Sequence, residues 1–201
     1  METYDLAVIT KRIYDCSLPF FTLSVLRDIS GVKKESTMFN MVKRLLKSGV
    51  LLKIEKNKYI LKDAKIHDFT LANLLYQPSY ISFETALNFY GILSQFPYEI
   101  LSSTPKKTIK KTFDGKSFIY IHLKKELFWG YEKKEEFLIA LPEKALLDLL
   151  YLASKGLKSL NIDEYNLSFI NLPKFKDYLR RYPSTRQFNK TINSLKRYFK
   201  L

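Results

Sequence analysis

The sequence predicts an α+β chain of two domains. The first is an N-terminal winged helix-turn-helix, and the second is mixed, with a small, mostly antiparallel sheet and C-terminal helices. Three observations carry this prediction. Apolar residues recur at helical spacing in three short segments before residue 50, and a hairpin pattern follows them. Strand-length runs separated by turn signals fill residues 99–140, and helical periodicity returns after Pro142. A linker-like stretch at 62–68 separates the two patterns, giving domains 1–65 and 66–201.

The elements follow in order. Leu6, Ile9, Ile13 and Tyr14 mark a helix over 4–16, which stops before Ser17-Leu18-Pro19. Thr22 can cap a two-turn helix that turns Leu23, Leu26 and Ile29 inward, and Gly31 supplies the turn after it. Ser36 can cap a third helix reaching Ser48, ended by Gly49. Strands Leu51–Glu55 and Lys58–Leu61 pair across Lys56-Asn57, and Tyr59 or Ile60 should anchor the hairpin to the core.

In the second region Ser82 is expected to cap a helix over 83–90, ended by Gly91. Strands are expected over 99–103, 108–113, 117–122, 127–131 and Phe137–Ala140, with Asp114-Gly115 as the clearest hairpin turn. Pro142 fits the first position of a helix, Pro142–Ser154, that is apolar nearly all round and hence buried. Helices over 173–181 and 184–200 close the chain.

Hydrophobic residues at 46% and aromatics at 15% indicate an ordered globular chain. The longest apolar run, 145–153, is broken by Asp148 and is far short of the ~20 residues a spanning helix needs. With no basic, apolar leader at the N-terminus, a cytoplasmic protein without a membrane role is expected. The lone Cys16 reads as a small buried hydrophobe, and no metal-ligand spacing is present. A net charge of +14 points to a polyanionic partner. Residues 1–62 carry 12 basic and 6 acidic side chains, 63–150 carry 11 and 11, and 151–201 carry 11 and 3, so the charge lies at the two ends.

About 100° per residue from Ser36 places Ser36, Thr37, Asn40, Lys43, Arg44, Lys47 and Ser48 on one arc, and Met38, Phe39, Met41, Val42, Leu45 and Leu46 on the other. The polar arc, read as free of acid, carries the groups that major-groove readout uses. Asn40 can bond adenine N6/N7, Arg44 guanine O6/N7, and Thr37 can meet a thymine methyl. Lys33, Lys34 and the helix start at Ser36 would hold phosphates, while Lys53, Lys56, Asn57 and Lys58 would place the wing over the adjacent backbone. A short helix, a glycine turn, a longer basic helix and a lysine-tipped hairpin are together the winged helix-turn-helix succession, so double-stranded DNA is the expected partner.

A second basic surface is expected from Lys174, Lys176, Arg180, Arg181, Arg186, Lys190 and Arg197. In the last helix Phe188, Ile192, Leu195 and Phe199 form the opposing apolar stripe. No catalytic residue, metal or cofactor is expected. Glycine motifs for phosphates are missing, His67 and His122 stand apart, and the best nuclease constellation is Asp114 with Glu132 and Lys134.

The runs Pro78-Ser79-Tyr80-Ile81-Ser82-Phe83-Glu84-Thr85-Ala86-Leu87-Asn88-Phe89-Tyr90-Gly91 and Pro97-Tyr98-Glu99-Ile100 to Ser103-Thr104-Pro105-Lys106-Lys107 resemble the AbiEi antitoxin family. So do Phe128-Trp129-Gly130-Tyr131 and the segment 139–151. The resemblance implies a transcriptional autorepressor. It would bind its promoter through the N-terminal domain and counteract a nucleotidyltransferase toxin in a type IV system, without requiring a stable complex. The alternatives are a standalone repressor without a toxin and, third, a metal-dependent nuclease. Glu84, Glu143, Lys144 and Asp148 read as caps and internal ion pairs, and Phe128-Trp129-Gly130-Tyr131 as a core corner.

Overall fold

The computed structural model describes residues 4–199, with side chains through Leu195. It forms two compact units, Met1–Ile66 and His67–Leu201, in a mixed α+β architecture.

In the first unit, α1 (Leu6–Asp15) starts at Asp5, whose carboxylate accepts from the N–H groups of Ala7 and Val8. Ile9 and Ile13, one turn apart, are its buried residues. Cys16, the C-cap of α1, is exposed, contrary to the burial expected: it shares the face of those two isoleucines but stands at the end of the helix, past the last buried turn. After β1 (Phe21–Thr22), the Thr22 hydroxyl accepts from the Val25 N–H at 3.2 Å and caps α2 (Leu23–Ser30). Gly31, at φ 70°, takes the left-handed turn that ends α2.

The third helix, α3 (Glu35–Lys47), begins one residue before Ser36, and no side chain caps it. Ser36 is therefore inside the helix. At the other end the N–H groups of Gly49 and Val50 reach the carbonyls of Leu46 and Leu45, the paired bonds of a Schellman stop.

Strands β2 (Leu51–Glu55) and β3 (Lys58–Leu61) form the hairpin, with Asn57 at φ 58° in its two-residue turn. Pairing of Phe21 with Tyr59 adds β1, so the antiparallel order is β1-β3-β2. Both Tyr59 and Ile60 are buried, where alternation predicted one. Ile9, Ile13, Phe21, Leu26, Met38, Met41, Leu45 and Leu51 pack into one core with Tyr59. Each large apolar side chain so buried contributes about 1.5–3 kcal/mol.

The second unit contains α4 (Asp68–Leu75), β4 (Tyr80–Ile81), α5 (Phe83–Phe89), β5 (Ile100–Thr104), β6 (Ile109–Phe113), β7 (Lys116–His122), β8 (Tyr131–Lys134) and β9 (Phe137–Ala140). Three helices then follow, α6 (Pro142–Ser154), α7 (Leu172–Leu179) and α8 (Arg186–Phe199). The sheet has the order β6-β7-β5-β4-β9-β8. It is mixed, since β5 runs parallel to β7 and β4 parallel to β9, while the other three pairings are antiparallel.

The strand expected over 127–131 is instead a short 3₁₀ turn, Lys125–Leu127, followed by a corner. Gly130 turns that corner at φ 73°, and a Cβ there would come within 3.0 Å of the Lys144 side chain. Glycine is thus required by both backbone and packing. α6 buries every residue from Glu143 to Leu152. Among the described residues no helix is long and apolar enough to cross a membrane.

Candidate nucleic-acid interface

The exposed face of α3 is built from Glu35, Ser36, Phe39, Asn40, Lys43, Arg44, Lys47 and Ser48. Asn40, Lys43, Arg44 and Lys47 stand together on it because i, i+3, i+4 and i+7 share one side of a helix. Thr37 does not join them. It is 9% exposed and packs inward with Met38 and Met41, so the thymine contact assigned to it cannot be made from there. Phe39, assigned to the apolar arc, is 50% exposed. The two corrections have one cause. The helix buries a stripe formed by Thr37, Met38, Met41, Val42 and Leu45, and this stripe is rotated by about 50°, roughly half a residue, from the expected apolar arc.

Glu35 also places a carboxylate at the start of α3, so the face is not free of acid. A negative group in the first turn suits the positive helix end but competes with a phosphate there. Arg44 is not loose. Its guanidinium lies 5.5 Å from the centroid of the Tyr4 ring and donates to the Tyr4 hydroxyl at 3.4 Å. Sequence reasoning missed this pairing, which joins residues 40 positions apart and has no local signal. Lys33 and Lys34, between α2 and α3, are exposed. On the hairpin Lys53, Lys56 and Asn57 are exposed and Lys58 is half-buried.

In the second unit the expected basic surface is partly drawn inward. Lys174 lies 3.6 Å from Glu143 and over the Tyr178 ring, and Arg181 stacks on Trp129 at 3.7 Å. Lys176, Arg180, Arg186 and Lys190 are exposed, as is Arg181 despite its contact with Trp129. The Arg197 side chain, with those of Phe199 and Lys200, falls outside the described residues. Phe188, Ile192 and Leu195 are buried as one stripe of α8.

Charged groups of α6 meet inside the fold. Lys144 and Asp148, one turn apart and fully buried, form an ion pair. Asp148 also accepts from the hydroxyls of Tyr80 (3.0 Å), Ser82 (2.8 Å) and Tyr182 (2.7 Å). The Lys144 ammonium is enclosed by the rings of Tyr80, Trp129 and Tyr182 at 5.1–5.4 Å. Burial lowers its pKa, and Asp148 opposes that shift. Burial pushes the Tyr80 and Tyr182 hydroxyls well above their ordinary value, and the Asp148 charge adds to it.

Ser82 begins α5 but makes no capping bond, since its hydroxyl is committed to Asp148. Glu84 pairs with Lys158 at 2.8 Å, and Glu143 accepts from the Asn171 N–H at 3.0 Å. These groups hold the second unit together, and the Lys144–Asp148 pair among them is fully buried.

The nuclease constellation is not assembled. Asp114 lies in the β6–β7 turn, whereas Glu132 and Lys134 lie on β8, the opposite edge strand. Five strand spacings separate those edges, about 24 Å. His67 accepts from the Phe69 N–H at the start of α4 and stacks on Phe137, a structural position. Among the described residues no group of three or more His, Cys, Asp or Glu could hold a metal ion. No protein-family model matches the chain, and no curated protein matches it.

Proposed function

We propose that the chain is a DNA-binding transcriptional regulator that sets α3 in the major groove and rests the β2–β3 hairpin on the adjacent backbone. The observation that carries this reading is the exposed row Asn40, Lys43, Arg44 and Lys47, on the second of two helices joined by a glycine turn and followed by a lysine-tipped hairpin. That order of elements is the one winged helix-turn-helix domains use. Asn40 and Arg44 have the bidentate geometry that adenine and guanine edges accept, while Lys43, Lys47, Lys53 and Lys56 suit phosphates.

With the AbiEi resemblance, the reading extends to an autorepressing antitoxin that counters a nucleotidyltransferase toxin. Only the DNA-binding part rests on the geometry of α3.

Binding to a duplex from the region upstream of the protein's own gene, compared with a scrambled duplex over a salt series, tests the reading. Preference for the upstream duplex should be lost in Asn40→Ala/Arg44→Ala, at a cost of about 1–3 kcal/mol for each base contact removed. Equal affinity for both duplexes, unchanged in the double variant, would leave the face as electrostatics alone and overturn it.

A further inference from the structure

We propose that the second unit carries a pocket for a phosphate monoester, built from Tyr76, Lys106, Lys107 and His122. A cavity of about 640 Å³ opens there, within the range of small-molecule sites. It lies where two parallel strands end side by side. Thr104, the last residue of β5, pairs with His122, the last of β7, and the loop leaving Thr104 forms one wall.

The wall is fixed by bonds internal to the protein. The Lys106 N–H donates to the Thr104 hydroxyl at 3.2 Å, the His122 N–H to the Thr108 hydroxyl at 3.0 Å, and the Tyr76 hydroxyl to the Lys107 carbonyl at 3.3 Å. His122 Nδ1 is 2.9 Å from the Lys106 carbonyl. A carbonyl oxygen only accepts, so Nδ1 carries the proton of this contact and Nε2 is an acceptor, which suits a hydroxyl of the ligand's sugar and leaves the phosphate to the lysines.

The ammonium groups of Lys106 and Lys111 both lie over the Tyr76 ring, at 5.4 and 5.5 Å from its centroid. The Tyr76 ring thus holds two ammonium groups beside it, that of Lys106 from the lining of the cavity. Among the described residues the lining contains Lys106 and Lys107 and no carboxylate. Lysines act on phosphate as point charges, and a dianionic monoester gains more from converging cations than a singly charged diester does. Tyr76 and Pro105 give the cavity an apolar wall that a sugar can cover and a bare inorganic ion cannot.

The site belongs to a different unit from α3, so its test needs no operator. Amide spectra of the isotopically labelled full-length chain are followed during addition of adenosine monophosphate, adenosine, a 5′-phosphorylated trinucleotide and its 5′-hydroxyl counterpart. Saturable shifts at Tyr76, Lys106, Lys107 and His122 are expected with the two phosphomonoesters and not with the two controls. The tighter of the two identifies a free nucleotide or a nucleic-acid end as the source.

Lys106→Gln/Lys107→Gln should weaken binding at least about tenfold, the loss of one charge-assisted contact. Lys176→Gln, outside the cavity, should leave it unchanged. Equal responses to adenosine and its monophosphate, shifts spread over all basic surfaces, or an unaltered Lys106/Lys107 variant would each overturn the proposal. If that double variant fails to fold, the comparison of ligands on the native chain decides alone.

Discussion

Phe39 is exposed on α3 beside Asn40 and Lys43, although amphipathic spacing alone puts it in the core. An exposed phenyl ring on a face of amides and cations costs solvation unless something apolar covers it, and in the major groove that partner is the thymine methyl. In the proposed complex Phe39 would take the role that burial denies Thr37. Replacing operator thymines by deoxyuridine should weaken the native chain at the position Phe39 covers and leave Phe39→Ala indifferent, as read by competition binding. Equal sensitivity of both proteins would remove Phe39 from the readout. A different residue-scale effect governs Tyr80 and Tyr182, whose hydroxyls titrate in the fold well above the unfolded tyrosine value of about 10. The folded chain then keeps protons that the unfolded chain releases. The stabilisation is complete below pH 10 and is lost as pH rises through the folded values, by up to about 1.4 kcal/mol per pH unit for each group. Lys144, shifted down, works in the opposite sense only below about pH 10.4. Urea midpoints read by Trp129 fluorescence should fall above pH 10. Tyr182→Phe should lower stability at neutral pH by about 1.5–3 kcal/mol and make the alkaline fall shallower.

Elements were legible wherever a local rule sets them. Thr22 caps α2 because its hydroxyl lies three residues before an orphan N–H, Asp114-Gly115 turns β6 into β7 with both residues at positive φ, and Pro142 opens α6. Elements set by distant partners were not. β4 is two residues long and exists because Tyr80 pairs with Ser103 and Ile81 with Ser102 and Ile139. α4 is two turns, nearly all buried, with no polar stripe to mark a period. At the candidate interface the row Asn40, Lys43, Arg44 and Lys47 follows from helical spacing, whereas Ser36 lies on the exposed face without capping the helix, Thr37 turns inward with the buried stripe, and Arg44's hold on Tyr4 leaves no trace in spacing. The β2–β3 hairpin gives an element-scale test. Asn57 sits at φ 58°, a conformation open to Asn and Gly and costly to β-branched residues. Asn57→Gly should keep stability within a few tenths of a kcal/mol, and Asn57→Val should cost about 1–2 kcal/mol in thermal melts. If the hairpin lies on phosphates, Lys56→Gln should reduce the slope of log affinity against log salt by about 0.9 without changing which duplex is preferred.

Across the whole molecule, charge and core are distributed in ways that separate two contributions to any binding of DNA. The first unit has its own closed core around Ile13, Phe21, Met41 and Tyr59, including all three strands of its sheet. Residues 1–66 should therefore fold alone, with a cooperative melt and dispersed amide spectra. Chains of this size bury a modest fraction of their surface, so the isolated unit is expected to be only a few kcal/mol stable. Sequence preference resides in base contacts, and in the proposed reading all of these come from α3. Residues 1–66 should thus keep the ratio of native to scrambled affinity that the full chain shows. The second unit adds Lys176, Arg180, Arg186 and Lys190 as exposed cations, each able to displace a counterion from a phosphate if the duplex reaches it. Were two or three of them engaged, the full chain would show a salt slope steeper by about 2–3 than residues 1–66, at an unchanged preference ratio. Identical slopes would assign those cations to a partner other than DNA. A preference that vanishes on truncation would instead place sequence readout in the second unit and overturn the assignment of base contacts to α3.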